Sequence, residues 1–409
     1  MTKTNVRNIF LLWLAWVIII LGFQWIVTTR LGIERPDLAV PWTSSETLRF
    51  SNKGKIYLLE PTMNRQVAWD SEYYVGIAAA GYDDPQAGAV TNPETGNLVV
   101  KNYSFFPFYP YVMKIFAMPL GWFGFNPIAA ASLAGVIVAV LGTLAGLIAL
   151  WDITRPYFDE VSSDRAVFYT LIFPTSFFFA MVYTEGLFIG LVFGALALSK
   201  RGHWIWASIL GLFAAWTRAH GAAVALPLIV IWLMQINWRE TLKPQLTWKW
   251  FAQGALALLP LVGYVIWRYS ALGMGWAELQ EFYFGRGLMS ISRLFDDFKS
   301  MFEYAQTTGD AAQIYFAIEV GSILTALIAS LWLIRRDPAV ALFSLAVVLL
   351  SVFSGSAQSM ARYMLIAPAL YIFLAQLGRN KTFDRAWTVF SILLLGMEAT
   401  LFAFDMWVG

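Results

Sequence analysis

Residues 166–199 read AVFYTLIFPTSFFFAMVYTEGLFIGLVFGALALS, 34 positions with one charged side chain, Glu185. A single helix of that length would run ~51 Å, well beyond the ~30 Å hydrocarbon core of a bilayer. The run therefore predicts two apolar helices folded as a tight hairpin, with Glu185 near its apex. Residues 203–236 repeat the pattern over another 34 positions, with Arg218 the one full charge and His220 two positions later. The same folding brings Arg218 to an apex on the same side.

Similar runs extend to both ends of the chain. Helices are expected near 9–27, 128–150, 166–182, 185–199, 203–218, 222–236, 251–267, 314–334, 338–353, 363–377 and 386–403. The fold class is thus an all-α polytopic membrane protein with about eleven transmembrane helices. Composition agrees: 59% of the 409 residues are hydrophobic and 13% charged, against roughly a quarter charged in soluble domains. The run 9–27 exceeds a signal-peptide core and no small-residue cleavage site follows it, so it reads as an uncleaved first helix.

Orientation follows from the connections. With the N-terminus in the cytoplasm, the inner segments hold Arg155 and Arg165, then Lys200 and Arg201, then Arg239, Lys243 and Lys249. Later ones hold Arg335 and Arg336, and Arg379, Lys381 and Arg385. The short loops opposite carry few positive charges, in line with the positive-inside rule. The stretch 105–122, with its prolines and Lys114, reads as an interfacial or re-entrant segment. Two outer connections are long, 28–127 and 268–313, within a single domain of 1–409. Long loops in compact proteins are commonly functional.

Several chemistries are excluded. There is no cysteine, hence no disulfide, thiolate site or cysteine nucleophile, and only His203 and His220 are available as histidine ligands. A net charge of +2 gives no basic field for nucleic acid.

The remaining charges are informative by position. An ionisable group at membrane depth costs roughly 2.5–3.5 kcal/mol on insertion scales, so it faces a partner or a wet cavity. Glu185 and Arg218 could form a structural pair, or Arg218 could reach lipid headgroups. Alternatively Asp70, Glu185, Arg218, Arg286 and Arg362, all assigned to the outer side, build one polar site. The first outer loop holds Trp69-Asp70-Ser71-Glu72-Tyr73-Tyr74. Aromatic faces stack on sugar rings and a carboxylate accepts a hydroxyl proton; acids two apart on a helix do not share a face, so Asp70 and Glu72 need not act together. The run Asn102-Tyr103-Ser104-Phe105-Phe106-Pro107-Phe108-Tyr109-Pro110-Tyr111 is either a belt at the headgroup level or a groove for an isoprenoid chain.

With these residues the chain resembles the PIG-V family, the GPI mannosyltransferase II type of the GT-C glycosyltransferase superfamily. The resemblance rests on Trp69-Asp70-x-x-Tyr73 with Ile77-Ala78 and Gly81-Tyr82, Phe105-Phe106-Pro107-x-Tyr109-Pro110, and Phe173-Pro174-x-Ser176. It continues with Tyr183-x-Glu185-x-Leu187-Phe188, Thr217-Arg218-x-His220-Gly221, and Arg362-Tyr363 leading to Pro368. His220 departs from the asparagine usual before that glycine. The resemblance implies an extracytoplasmic, inverting transferase that takes a sugar, typically mannose, from a polyprenyl-phosphate carrier to a lipid or glycan acceptor, without a nucleotide sugar. No cofactor is expected, and most such enzymes need no metal, although Asp70 and Glu72 could share one. It implies Asp70 as general base. Arg218, with Arg362 and Arg286 behind it, is then expected at the donor phosphate. Glu72, Trp69, Tyr73, Glu185, His220 and Tyr109 are expected at the substrates. The competing expectations are a transporter or flippase for lipid-linked sugars, and a ligase that joins whole lipid-linked glycans.

Overall fold

The buried face of helix α1 (Lys3–Leu31) runs Asn5, Ile9, Trp13, Trp16, Ile20 and Gln24, three or four residues apart. The opposite face is as apolar: Leu11, Ile18, Ile19, Trp25 and Ile26 are exposed. In water that face would be costly; in hydrocarbon it is the solvated side. The computed structural model describes residues 2–31, 65–84, 87–125, 127–236, 247–283, 291–354 and 358–408.

After α1 the described chain forms α2 (Asp70–Ala80), an antiparallel hairpin of β1 (Ala89–Thr91) and β2 (Leu98–Val100), and α3 (Phe108–Gly121). Then come α4 (Pro127–Thr154), α5 (Glu160–Ile172), α6 (Glu185–Lys200), α7 (Trp204–Ala215) and α8 (Ala225–Leu233). The remainder is α9 (Trp248–Arg268), α10 (Ala271–Phe282), α11 (Ile291–Thr308), α12 (Asp310–Leu333), α13 (Pro338–Val352), α14 (Met360–Met364), α15 (Pro368–Leu377) and α16 (Lys381–Ala403).

Each of the eleven apolar runs is helical in whole or part. Five helices, α1, α4, α9, α12 and α16, are long and apolar enough to cross a bilayer by length and composition. The chain is an all-α integral membrane protein; among the described residues the other six apolar runs form helices shorter than these five. Some of these, such as α6 and α13, are short because their runs are; others are cut by interruptions. Phe173-Pro174 ends α5, because proline removes a backbone donor and restricts the residue before it. A 3₁₀ segment (Ser176–Ala180) follows, and α6 starts only at Glu185. The expected tight hairpin apex is therefore a buried irregular stretch, 173–184. A second 3₁₀ segment (Ala219–Val224) likewise shortens the run 222–236 to α8. The two long connections carry structure of their own: α2, the hairpin and α3 in the first, α10 and α11 in the second.

Local signals fix the helix starts. Asp159 accepts the Ser162 N–H at 2.7 Å, Ser270 that of Gly273 at 3.3 Å, and Asp337 that of Val340 at 3.3 Å, each satisfying an orphan donor of the first turn. At the centre α4 lies along α6 so closely that side chains are excluded. A Cβ on Gly186 would sit 2.2 Å from the Ala139 carbonyl oxygen, and one on Gly142 would sit 2.5 Å from the Leu187 Cα. Small residues allow such backbone approach where packing holds helices together. This contact sets the height of Glu185, the residue just before Gly186.

Candidate active site

The end of the helical body where α1 stops and α6 starts holds a cavity of about 610 Å³, within the size range of small-molecule sites. Asp70, Glu185, Arg218, His220 and Arg362 all line it. The opposite end of the bundle carries the pairs Lys200–Asp337 (2.6 Å) and Arg201–Asp152.

Asp70 is the first residue of α2, where the helix dipole favours a carboxylate. Its position is set by the residue before it. Trp69 has φ 56°, a backbone outlier of the kind costing on the order of 1–3 kcal/mol and persisting only where the surroundings fix it. Here they do. Tyr183 donates to the Ala68 carbonyl at 3.0 Å, and the Trp69 ring meets the edge of Trp407 at 4.9 Å. Gln66 donates to Gln24 of α1 at 2.9 Å and accepts from the Val182 N–H through its carbonyl at 3.1 Å.

Arg362 Nη1 donates to Asp70 Oδ2 at 3.1 Å, and its Nε lies 3.6 Å from Glu185 Oε1. Its guanidinium also faces the rings of Tyr183 (5.2 Å), Tyr363 (5.3 Å) and Phe178 (5.5 Å), favourable cation–π contacts. The short α14 that carries it is fixed by Glu319, which accepts the N–H groups of Ser359 (2.8 Å) and Ala361 (2.6 Å). Tyr315 accepts from Ser359 N–H at 3.3 Å and from Trp407 Nε1 at 3.1 Å. Trp407 thus touches the support of Asp70 and that of Arg362.

Arg218 pairs with Glu185 and donates to the Thr184 hydroxyl at 3.2 Å. The chain reversal that presents it needs Gly221, because a Cβ there would lie 2.1 Å from the Ala214 carbonyl. His220 Nε2 shares a 3.0 Å hydrogen bond with Ser351 Oγ. Tyr74 lines the cavity too. Burial first, and the Asp70 charge second, push its phenol well above the ordinary value, so it stays a hydrogen-bond donor.

Other residues quoted from the sequence lie elsewhere. Tyr109 is fully buried and donates to the Gly135 carbonyl at 3.0 Å, a packing role. Tyr73 stacks on Phe105 at 4.8 Å; Glu72 and Trp69 are buried, and none of these three lines the cavity. Arg286 lies outside the described residues. Conversely the cavity includes Tyr264, Arg268, Trp276 and Glu281, which the sequence reading did not single out. Arg268 closes an apolar run at the edge of the second long connection, the one signal that could have marked it. Among the described residues no group of three or more His, Cys, Asp or Glu could hold a metal ion.

No family model matches the chain, and no curated protein matches it in sequence. Solved structures of the Archaeoglobus fulgidus oligosaccharyltransferase do match in shape. One, in complex with Zn and sulfate, is 13% identical with a TM-score of 0.47, over 94% of this chain and 53% of that one. Another, the archaeal oligosaccharyltransferase AglB in complex with an inhibitory peptide and a dolichol-phosphate, is 14% identical with a TM-score of 0.45, over 96% and 55%. This chain spans about half the length of those structures.

Proposed function

We propose that this chain is a GT-C-type membrane glycosyltransferase, similar to the PIG-V family. It moves one sugar, mannose on that resemblance, from a polyprenyl-phosphate carrier to a lipid-linked or glycolipid acceptor on the extracytoplasmic face. The observation that carries the reading is the array Asp70–Arg362–Glu185–Arg218 along the wall of one aromatic-lined cavity.

Asp70 is the half-exposed member of the array and meets Arg362 through Oδ2. An acceptor hydroxyl at Asp70 gives up its proton as its oxygen attacks the anomeric carbon. On the opposite face, the bond from that carbon to the carrier phosphate breaks with its electron pair on the phosphate oxygen, so configuration inverts. When Asp70 takes the proton its charge is lost, yet Arg362 keeps Glu185 as counter-ion. Its partly released guanidinium, with Arg218, meets the charge growing on the leaving phosphate, where fixed cations help most. Arginine suits this place because its planar fork holds two oxygens and stays charged.

The test is sugar transfer from radiolabelled polyprenyl-phosphomannose to host lipid and protein extracts, with membranes carrying wild type or Asp70→Asn. Label should reach an acceptor with wild type and fall by ~10²–10⁴-fold in the variant. Wild-type turnover in Asp70→Asn would remove the base assignment. Translocation of a lipid-linked sugar in liposomes without bond formation would instead identify a transporter.

A further inference from the structure

Arg218 and Arg362 are committed to carboxylates before any ligand arrives. Arg218 is held by Glu185, and Arg362 by Asp70 at 3.1 Å and Glu185 at 3.6 Å; their side chains are 11% and 7% exposed. Two acids and two arginines sum to zero, so an entering phosphate must break buried pairs or find another cation.

Arg268 lines the same cavity as the last residue of α9. Among the described residues it has no ion pair; its one hydrogen bond, Nη1 to the Gly273 carbonyl, is long at 3.4 Å. Glu281, a further cavity-lining acid, is exposed and does not pair with it. The backbone beneath Arg268 is rigid. Ser270 caps α10, and a Cβ on Gly273 would meet the Trp267 carbonyl oxygen at 2.1 Å. Phe106 stacks on Trp267 at 4.1 Å, and Trp276 lies 5.5 Å from Trp267. A fixed stem with an uncommitted guanidinium is what anion capture requires, because its fork matches two phosphate oxygens.

We propose that Arg268 is the phosphate-binding residue that first takes the donor's phosphate, while Arg218 and Arg362 act on the charge that develops later. This rests on the polyprenyl-phosphate reading above. The expected order explains a division of labour: ground-state binding at Arg268, transition-state charge at the array.

Equilibrium binding of radiolabelled polyprenyl monophosphate and of the uncharged polyprenol to the purified full chain in nanodiscs tests it. Wild type should prefer the phosphate. Arg268→Gln should lose at least about tenfold in affinity for the phosphate and nothing for polyprenol, with Arg268→Lys recovering part, since an ammonium keeps the charge without the fork. If wild type prefers the phosphate and Arg268→Gln keeps that preference, the Arg268 assignment fails alone. If wild type shows no preference, the carrier-phosphate reading fails and this assignment with it.

Discussion

Arg362 donates to Asp70 across 292 positions of sequence, joining the start of α2 to α14 at 3.1 Å. The contact engages Oδ2 of a carboxylate that lines the cavity. A lysine could not reach Asp70 and Glu185 at once as the guanidinium does. Arg362→Lys should therefore fold but lower kcat by ~10²-fold, the scale of an ångström-sized misplacement. Single-turnover sugar transfer measures it; an unchanged kcat would mean that one point charge suffices.

Glu185→Gln removes the counter-charge of Arg218 and leaves it a neutral amide oxygen, the Thr184 hydroxyl and the faces of Phe188 and Tyr363. Breaking a buried pair from one side costs roughly 3–5 kcal/mol, and both partners are shielded here. The double variant Glu185→Gln/Arg218→Gln should recover part of that loss. A thermal-unfolding cycle in detergent reads the coupling, and strict additivity would show that the pair contributes nothing.

Trp407 does not line the cavity but meets Trp69 and Tyr315. Trp407→Ala should free the Trp69 backbone and shift both Asp70 and α14, lowering kcat by ~10²-fold with KM for donor unchanged. Trp407→Phe, which keeps the ring edge, should retain more activity. Equal loss in both would assign the effect to the indole hydrogen bond alone.

Asp159 caps α5 at the bundle end away from the cavity. The Ser162 hydroxyl and N–H beside it hold its carboxyl below the usual aspartate range. A lowered folded-state pKa adds stability above the unfolded value, near ~3.9, that is lost as pH falls through the folded value. Asp159→Ala should lower the unfolding temperature at neutral pH, and the gap should close on acidification. A gap independent of pH would show that charge plays no part in this cap.

Much of the scaffold is legible because apolar runs are long and local. Segments such as 9–27 and 386–403 correspond to α1 and α16 within a few residues. The charges Glu185 and Arg218 stand out against their runs, and the structure places them together. The rest needed tertiary placement. Nothing local tells that Glu72 turns into packing while Asp70, two positions before, reaches the cavity. Glu319 lies inside the run 314–334, where one acid looks tolerable as a span residue; its two backbone acceptor contacts become visible only once Ser359 and Ala361 are folded against it. Arg268 was hidden by standing at a helix end, a place where arginine is common for reasons of dipole alone.

The mutual cancellation of Asp70, Glu185, Arg218 and Arg362 has a kinetic side. With Arg268 and Glu281 added, the cavity still holds three acids and three arginines. A balanced lining projects little field beyond the ~10 Å over which salt screens, so it cannot steer an anion through water as a basic cleft does. Ligand capture by this protein should then depend little on ionic strength. It should scale with the surface density of an amphiphile in the leaflet, reached by two-dimensional diffusion, and not with any concentration in the surrounding water.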